Sequence, residues 1–198
     1  TLFVTPSGES VLIDTGNLIG AERDAGRIMD AVRDARLTQI DHLILTHYHA
    51  DHFGGMEELS KRIPIKEFID HGPNVQPGEL ADNFLKNEYP KIVGNAKHTV
   101  AKPGDKIAMT GLDIRVVAST AVEEMTVAAG AKLAREKGAS VVILDDGFHS
   151  RGVVADLALL AIDSDYGAGN GRCLPAGPLR APVAAQIAQA DALIVIGE

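Results

Sequence analysis

The sequence predicts an α/β protein. Short apolar runs alternate along the chain with stretches of helical periodicity. Gly, Pro and Asp clusters separate them, and a composition of 45% hydrophobic and 23% charged residues over 198 positions suits a packed core. A net charge of −8 with 4% aromatics offers no basic face for phosphates, so nucleic acid is not expected as a partner. No apolar run approaches the roughly 18 residues of a membrane span, so no integral membrane segment is expected. One cysteine, Cys173, excludes an internal disulfide. No leader peptide is visible, which gives a cytoplasmic expectation. The chain begins at Thr1 without Met, so an upstream segment could precede it.

The elements follow in order. Val11–Asp14 is a short apolar run ending at Thr15-Gly16, a strand and turn. Ala25, Ile28, Met29, Val32 and Leu37 recur at helical spacing and predict a helix over 21–36. His42–Thr46 reads as a buried strand, and residues 56–62 as a helix after Gly54-Gly55. Ile65–Asp70 is a strand closed by His71-Gly72-Pro73, and residues 80–88 a helix ending before Pro90. Lys106–Met109 and Ile114–Ala118 flank a turn and predict a hairpin. Residues 121–137 read as a helix stopped at Gly138. Val141–Asp145, Leu157–Asp163 and Ala192–Ile196 read as strands, with a helix over Val183–Ala190.

Composition shifts near residue 119. Residues 1–118 hold six of the seven His, whereas residues 119–198 hold 17 of the 27 Ala. The two segments, 1–118 and 119–198, could be separate parts or pack as one domain.

Thr46-His47-Tyr48-His49-Ala50-Asp51-His52 is the most informative stretch. Three His and an Asp follow directly on a strand, and imidazole with carboxylate is the ligand set of zinc and similar ions. Strand alternation would turn His47 and His49 to one side. Asp51 and His52 lie further round and could face a second metal position. One or two zinc ions are therefore expected. A metal there lowers the pKa of bound water to about 7 and supplies hydroxide at neutral pH.

His47-Tyr48-His49-Ala50-Asp51-His52 resembles the HxHxDH signature of the metallo-β-lactamase fold. Leu12-Ile13-Asp14-Thr15-Gly16, Gly54-Gly55 and Pro103-Gly104-Asp105-Lys106 are similar to further motifs of that family, in the same order. The resemblance spans about residues 1–118. It implies a layered αββα sandwich and a metal-dependent hydrolase of small molecules. It assigns His47 and His49 to a first metal, Asp51 and His52 to a second, catalysis to Asp51 with a metal-bound hydroxide, and a supporting role to Asp14. The family's later ligands, a third His, a bridging Asp and a last His, have no clear counterpart. His71 is a candidate substitute. His98 reads as an exposed or packed residue.

The second segment differs. Leu144-Asp145-Asp146-Gly147-Phe148 and the Gly/Pro-rich string from Gly169 to Pro182 resemble tetraacyldisaccharide 4′-kinase, the lipid A 4′-kinase family. That resemblance runs from about residue 125 and implies a P-loop-kinase-like α/β segment, with Mg²⁺ at Asp145 and Asp146. The phosphate-cradling G-x-x-x-x-G-K-[ST] loop does not occur in the sequence, which speaks against kinase activity. Asp145 or Asp146, with His149, could instead stand in for the missing metal ligands. Three readings follow: a metal-dependent hydrolase, a fragment of an ATP/Mg²⁺-dependent kinase, and an inactive chimeric metal-binding scaffold. The junction itself could be natural, engineered or an artefact of assembly.

Overall fold

A computed structural model describes residues 1–75, 78–116, 127–139, 141–142, 144, 152–164, 167–173, 176, 179 and 181–196. The chain divides into two compact units, Thr1–Met125 and Thr126–Glu198.

The first unit is built on a five-stranded sheet of order β1-β2-β3-β4-β5: Leu2–Val4, Ser10–Ile13, Ile40–Ile44, Ile65–Asp70 and Lys97–Val100. β1 runs antiparallel to β2, and the other pairs are parallel. Parallel strands need crossovers, and helices supply them: α1 (Ala21–Asp34) between β2 and β3, α2 (Ala50–Phe53) and α3 (Met56–Ser60) between β3 and β4. α1 buries Ala25 and Val32, places Glu22 and Asp24 in its first turn and Arg33 in its last, and so agrees with its own dipole. Its apolar face meets Met56 and Leu59 of α3 over Leu12, Ile40, Leu43 and Phe68 of the sheet, and this is the core.

The helix expected over 80–88 departs from expectation. α4 (Glu79–Asn83) passes into a π-helical turn, Phe84–Glu88, and then into α5 (Tyr89–Val93). Pro90 opens α5 instead of stopping the helix before it, because a first-turn residue has no intrahelical partner for its N–H. Phe84 then stacks between Phe53 and Tyr89, with ring centroids 4.0 and 5.4 Å away. Two short strands lie outside the sequence expectations: β1 is only three residues long and β5 (Lys-His-Thr-Val) is largely polar, and pairing with β2 and β4 recruits them. β6 (Lys106–Met109) and β7 (Leu112–Arg115) form the expected hairpin with a tighter turn. Among the described residues of this unit, the hairpin is the only strand pair outside the five-stranded sheet.

In the second unit, α6 (Val127–Glu136) ends at Gly138, whose φ of 83° is the left-handed conformation of a helix stop. β8 (Leu159–Asp163) and β9 (Ala192–Ile196) pair in parallel, and α7 (Val183–Ile187) precedes β9. Asp191 clamps the start of the pair: its carboxylate accepts the Ala158 N–H at 2.7 Å and its own N–H donates to the Ala158 carbonyl. The strand expected at Val141–Asp145 is not seen among its described residues. Val141, Val142 and Leu144 lie in no strand, and Val141 and Val142 are exposed.

Candidate metal centre

The site begins with a strained residue. At the end of β2 the chain turns through Asp14, whose φ of 57° is left-handed, a conformation that Asp tolerates better than most non-glycine residues. The turn aims its carboxylate at the end of β3. There Oδ1 accepts the Thr46 N–H at 2.8 Å, and Oδ2 accepts the Thr46 hydroxyl at 2.7 Å and His52 Nδ1 at 2.8 Å. Burial alone would raise the Asp14 carboxyl, but the hydrogen bonds from His52 and Thr46 outweigh it and hold the group below its ordinary value.

A second lock joins the two loops back to back. Thr15 donates its N–H and its hydroxyl to the His52 carbonyl, Leu18 donates to the Ala50 carbonyl, and Gly54 donates to the Gly16 carbonyl. The approach explains Gly54-Gly55. A Cβ at Gly54 would fall 1.9 Å from the Leu18 nitrogen, and one at Gly55 2.2 Å from the Thr15 carbonyl oxygen.

This scaffold orders the imidazoles. A carboxylate only accepts, so the Thr46 hydroxyl proton is committed to Asp14, and Thr46 Oγ accepts from His47 Nδ1 at 3.1 Å. His47 Nε2 is then a lone pair, and it faces His49 Nδ1 at 2.9 Å. His52 donates through Nδ1 to Asp14, which leaves Nε2 as its outward-facing nitrogen. That atom lies 3.7 Å from Asp51 Oδ2. Burial, followed by the nearby His52 and His49, lowers the His47 pKa, so its ring stays neutral at neutral pH.

The structure thus brings together His47, His49, Asp51, His52 and Asp14. The metal-type donors stand as two pairs, His47 with His49 and Asp51 with His52. Two nitrogens on one tetrahedral zinc stand about 3.3 Å apart, given a Zn–N distance of about 2.0 Å. The 2.9 Å separation of His47 and His49 is a few tenths short of that. Among the described residues no group of three or more His, Cys, Asp or Glu is disposed to hold one ion.

His71 stands apart from the pairs. It is buried against the Tyr48 ring, with centroids 4.5 Å apart, and its Nδ1 has no hydrogen-bond partner among the described residues. Asp145, Asp146 and His149 lie outside the described residues. The sequence reading passed over Thr46, the hinge of the whole network, although it directly precedes His47. It also passed over Asp70, which holds Tyr89 and His98 from a buried position.

Residues 1–127 match the model of the Metallo-beta-lactamase superfamily, and residues 85–198 match that of Tetraacyldisaccharide-1-P 4'-kinase. The chain belongs to both families. The kinase match begins at residue 85, well before the point near 125 where its motifs become recognisable by eye, and the two matches overlap. Curated relatives are similar over part of their length. A tetraacyldisaccharide 4'-kinase of Rhodopseudomonas palustris (strain BisB18) is 48% identical over 108 residues, which is 54% of this chain and 30% of the relative. One of Bradyrhizobium sp. (strain ORS 278) is 43% identical over 147 residues, 74% of this chain and 42% of the relative. The chain spans about a third of the length of the first of these relatives. No solved structure matches. No described helix is long and apolar enough to cross a membrane.

Proposed function

We propose that the first unit is a metal-dependent hydrolase centre of the metallo-β-lactamase type, acting on a small-molecule substrate in the cytoplasm. One observation carries the reading: the Asp14–Thr46–His47 chain of hydrogen bonds, which leaves a lone pair on His47 Nε2 facing His49. His47 and His49 would hold one zinc ion, and Asp51 and His52 a second. A zinc ion there would lower the pKa of a water molecule to about 7.

The chain's own residues prepare that chemistry. Asp14 fixes the His52 tautomer and ring, the role that carboxylates play behind metal-bound imidazoles. Thr46 does the same for His47. Asp51, more than half exposed, can take a proton at Oδ2 from an attacking water and return it to solvent. Donors that come only in pairs imply weaker metal binding and lower activity than a complete centre.

The second reading is a fragment of an ATP/Mg²⁺-dependent tetraacyldisaccharide 4′-kinase, with Mg²⁺ at Asp145 and Asp146. The identity to curated kinases favours it. The lack of a phosphate-binding G-x-x-x-x-G-K-[ST] loop in the sequence weighs against phosphoryl transfer. An inactive chimeric scaffold that only binds metal is the third.

Metal content by elemental analysis, before and after His47→Ala, is the deciding experiment, followed by hydrolysis of ester, lactam and phosphodiester substrates. Zinc lost with His47, together with hydrolysis lost with it, supports the hydrolase. Zinc without hydrolysis leaves the scaffold. A protein without zinc that transfers phosphate from ATP would replace the leading reading with the kinase.

A further inference from the structure

Tyr48 sits between His47 and His49 and turns the other way. Its ring packs on His71, and its hydroxyl donates to the Gly72 carbonyl. On that side Tyr48, Leu85, Tyr89, Pro90, Val93 and His98 line a cavity of about 430 Å³ at the carboxyl ends of β3 and β4. That volume lies within the range of small-molecule sites, and strand carboxyl ends are where parallel sheets bind ligands.

The polar end of the cavity is built with some care. Asp70 has a side chain only 1% exposed. Its Oδ1 accepts the Gly72 N–H at 2.7 Å, and its Oδ2 accepts the Tyr89 hydroxyl at 2.8 Å and His98 Nε2 at 2.6 Å. A buried carboxylate needs such partners, and here three donors satisfy it without a ligand. The parallel register makes this possible: Phe68 pairs with His98 and Asp70 with Val100, so Asp70 and His98 share a face of the sheet. Both phenol protons are committed, one to Gly72 and one to Asp70, and burial pushes both phenol pKa values up. The cavity then has one free polar atom among its ring groups. His98, 42% exposed, spends Nε2 on Asp70 and has no partner at Nδ1 among the described residues.

We infer that this cavity is a small-molecule site distinct from the histidine pairs, taking a neutral ligand with an aromatic or branched apolar body and one hydrogen-bonding group that meets His98 Nδ1. The walls select the body, since two Tyr rings and Leu85, Pro90 and Val93 offer stacking and apolar contact. Asp70 selects the charge. An anion would approach a buried carboxylate one ring away, and a cation would find that carboxylate already saturated.

Benzyl alcohol and toluene test this on the full chain by ligand-observed NMR titration, with and without a chelator. Benzyl alcohol should bind saturably and several-fold more tightly than toluene, chelator or not. Leu85→Trp, which fills the cavity, should weaken both at least tenfold. His98→Phe should weaken benzyl alcohol about three- to tenfold and leave toluene unchanged, the effect of one hydrogen bond. If His98→Phe does not fold, the preference for the alcohol and its loss in Leu85→Trp decide. Absence of saturable binding, equal affinity for the two probes, unchanged binding in Leu85→Trp, or binding abolished by the chelator would each overturn the inference. The chelator arm separates this site from the metal centre, because it removes the metal and leaves the cavity.

Discussion

β3 and β9 are both five-residue strands with parallel partners, yet they live in different surroundings. In β3, Ile40 and Leu43 are fully buried, between β2 and β4 and among side chains from α1 and α3. In β9, Leu193 and Val195 are 48% and 64% exposed, and β8 is its only partner among the described residues. A strand's apolar run is written locally, whereas its burial is supplied by neighbouring strands and by helices on the sheet faces. The first unit has those neighbours. The second has the strand-forming sequence of a parallel sheet with little of the cover that such sheets require.

Changes in the first unit should therefore cost far more than matched changes in the second. The largest effect is expected at the back-to-back loops. Gly55→Ala puts a methyl against the Thr15 carbonyl, and should lower the stability of the first unit by about 3 kcal/mol or prevent its folding. Urea unfolding followed by circular dichroism would show it; a near-neutral variant would mean that the loops can separate at little cost. Next comes the matched pair. Leu43→Ala should cost about 3 kcal/mol, and Leu193→Ala less than about 1 kcal/mol. Equal losses would erase the contrast between the units.

Asp14→Asn follows in size. Asn keeps the left-handed backbone accessible but removes the charge that orients His52 and Thr46. Zinc affinity should fall roughly 10–100-fold with a smaller loss of stability, measured by competition with a chromogenic chelator. An unchanged affinity would detach Asp14 from the metal centre. The smallest effect concerns acid. Burial would raise the Asp41 and Glu67 carboxyls, but Lys66 with Ser10 and Lys97 with Thr99 hold them below their ordinary values of 3.8 and 4.5. A depressed folded-state pKa gives stability that is present above the unfolded value and lost as pH falls through the folded one. Melting temperatures should thus begin to fall below about pH 6.5, where the unfolded chain protonates His47 and His71 before the folded one, and fall further below about 4.5. Lys97→Met should flatten part of that decline.

The alternating elements of the first unit were legible because each has its own local signal. α1 has an apolar stripe and charges that suit its dipole, and β4 has a run closed by Gly-Pro. The errors fell where the signal is not local. β5, Lys97–Val100, is polar enough to pass for a loop and becomes a strand only because β4 offers its edge. Pro90 looked like a stop and is a start, since the π-helical turn before it resets the helix. Of the run Val141–Asp145, which reads as a strand, the described residues Val141, Val142 and Leu144 lie in none. For the site, the His and Asp spacing pointed to metal, but spacing says nothing about which ring nitrogen carries a proton.

The sequence by itself determined an α/β chain, its kinship to two families, and the cluster of His47, His49, Asp51 and His52 within six residues. These depend on residue identity and short-range order. Only the tertiary structure decided that Asp14, 38 positions before His52, sets that ring's tautomer, that Tyr48 turns from the metal donors toward a cavity, and that Asp70 holds His98 across two strands. Each is a contact between segments far apart in the chain. Strand register and loop crossing create it, and neither is a property of any one stretch of sequence.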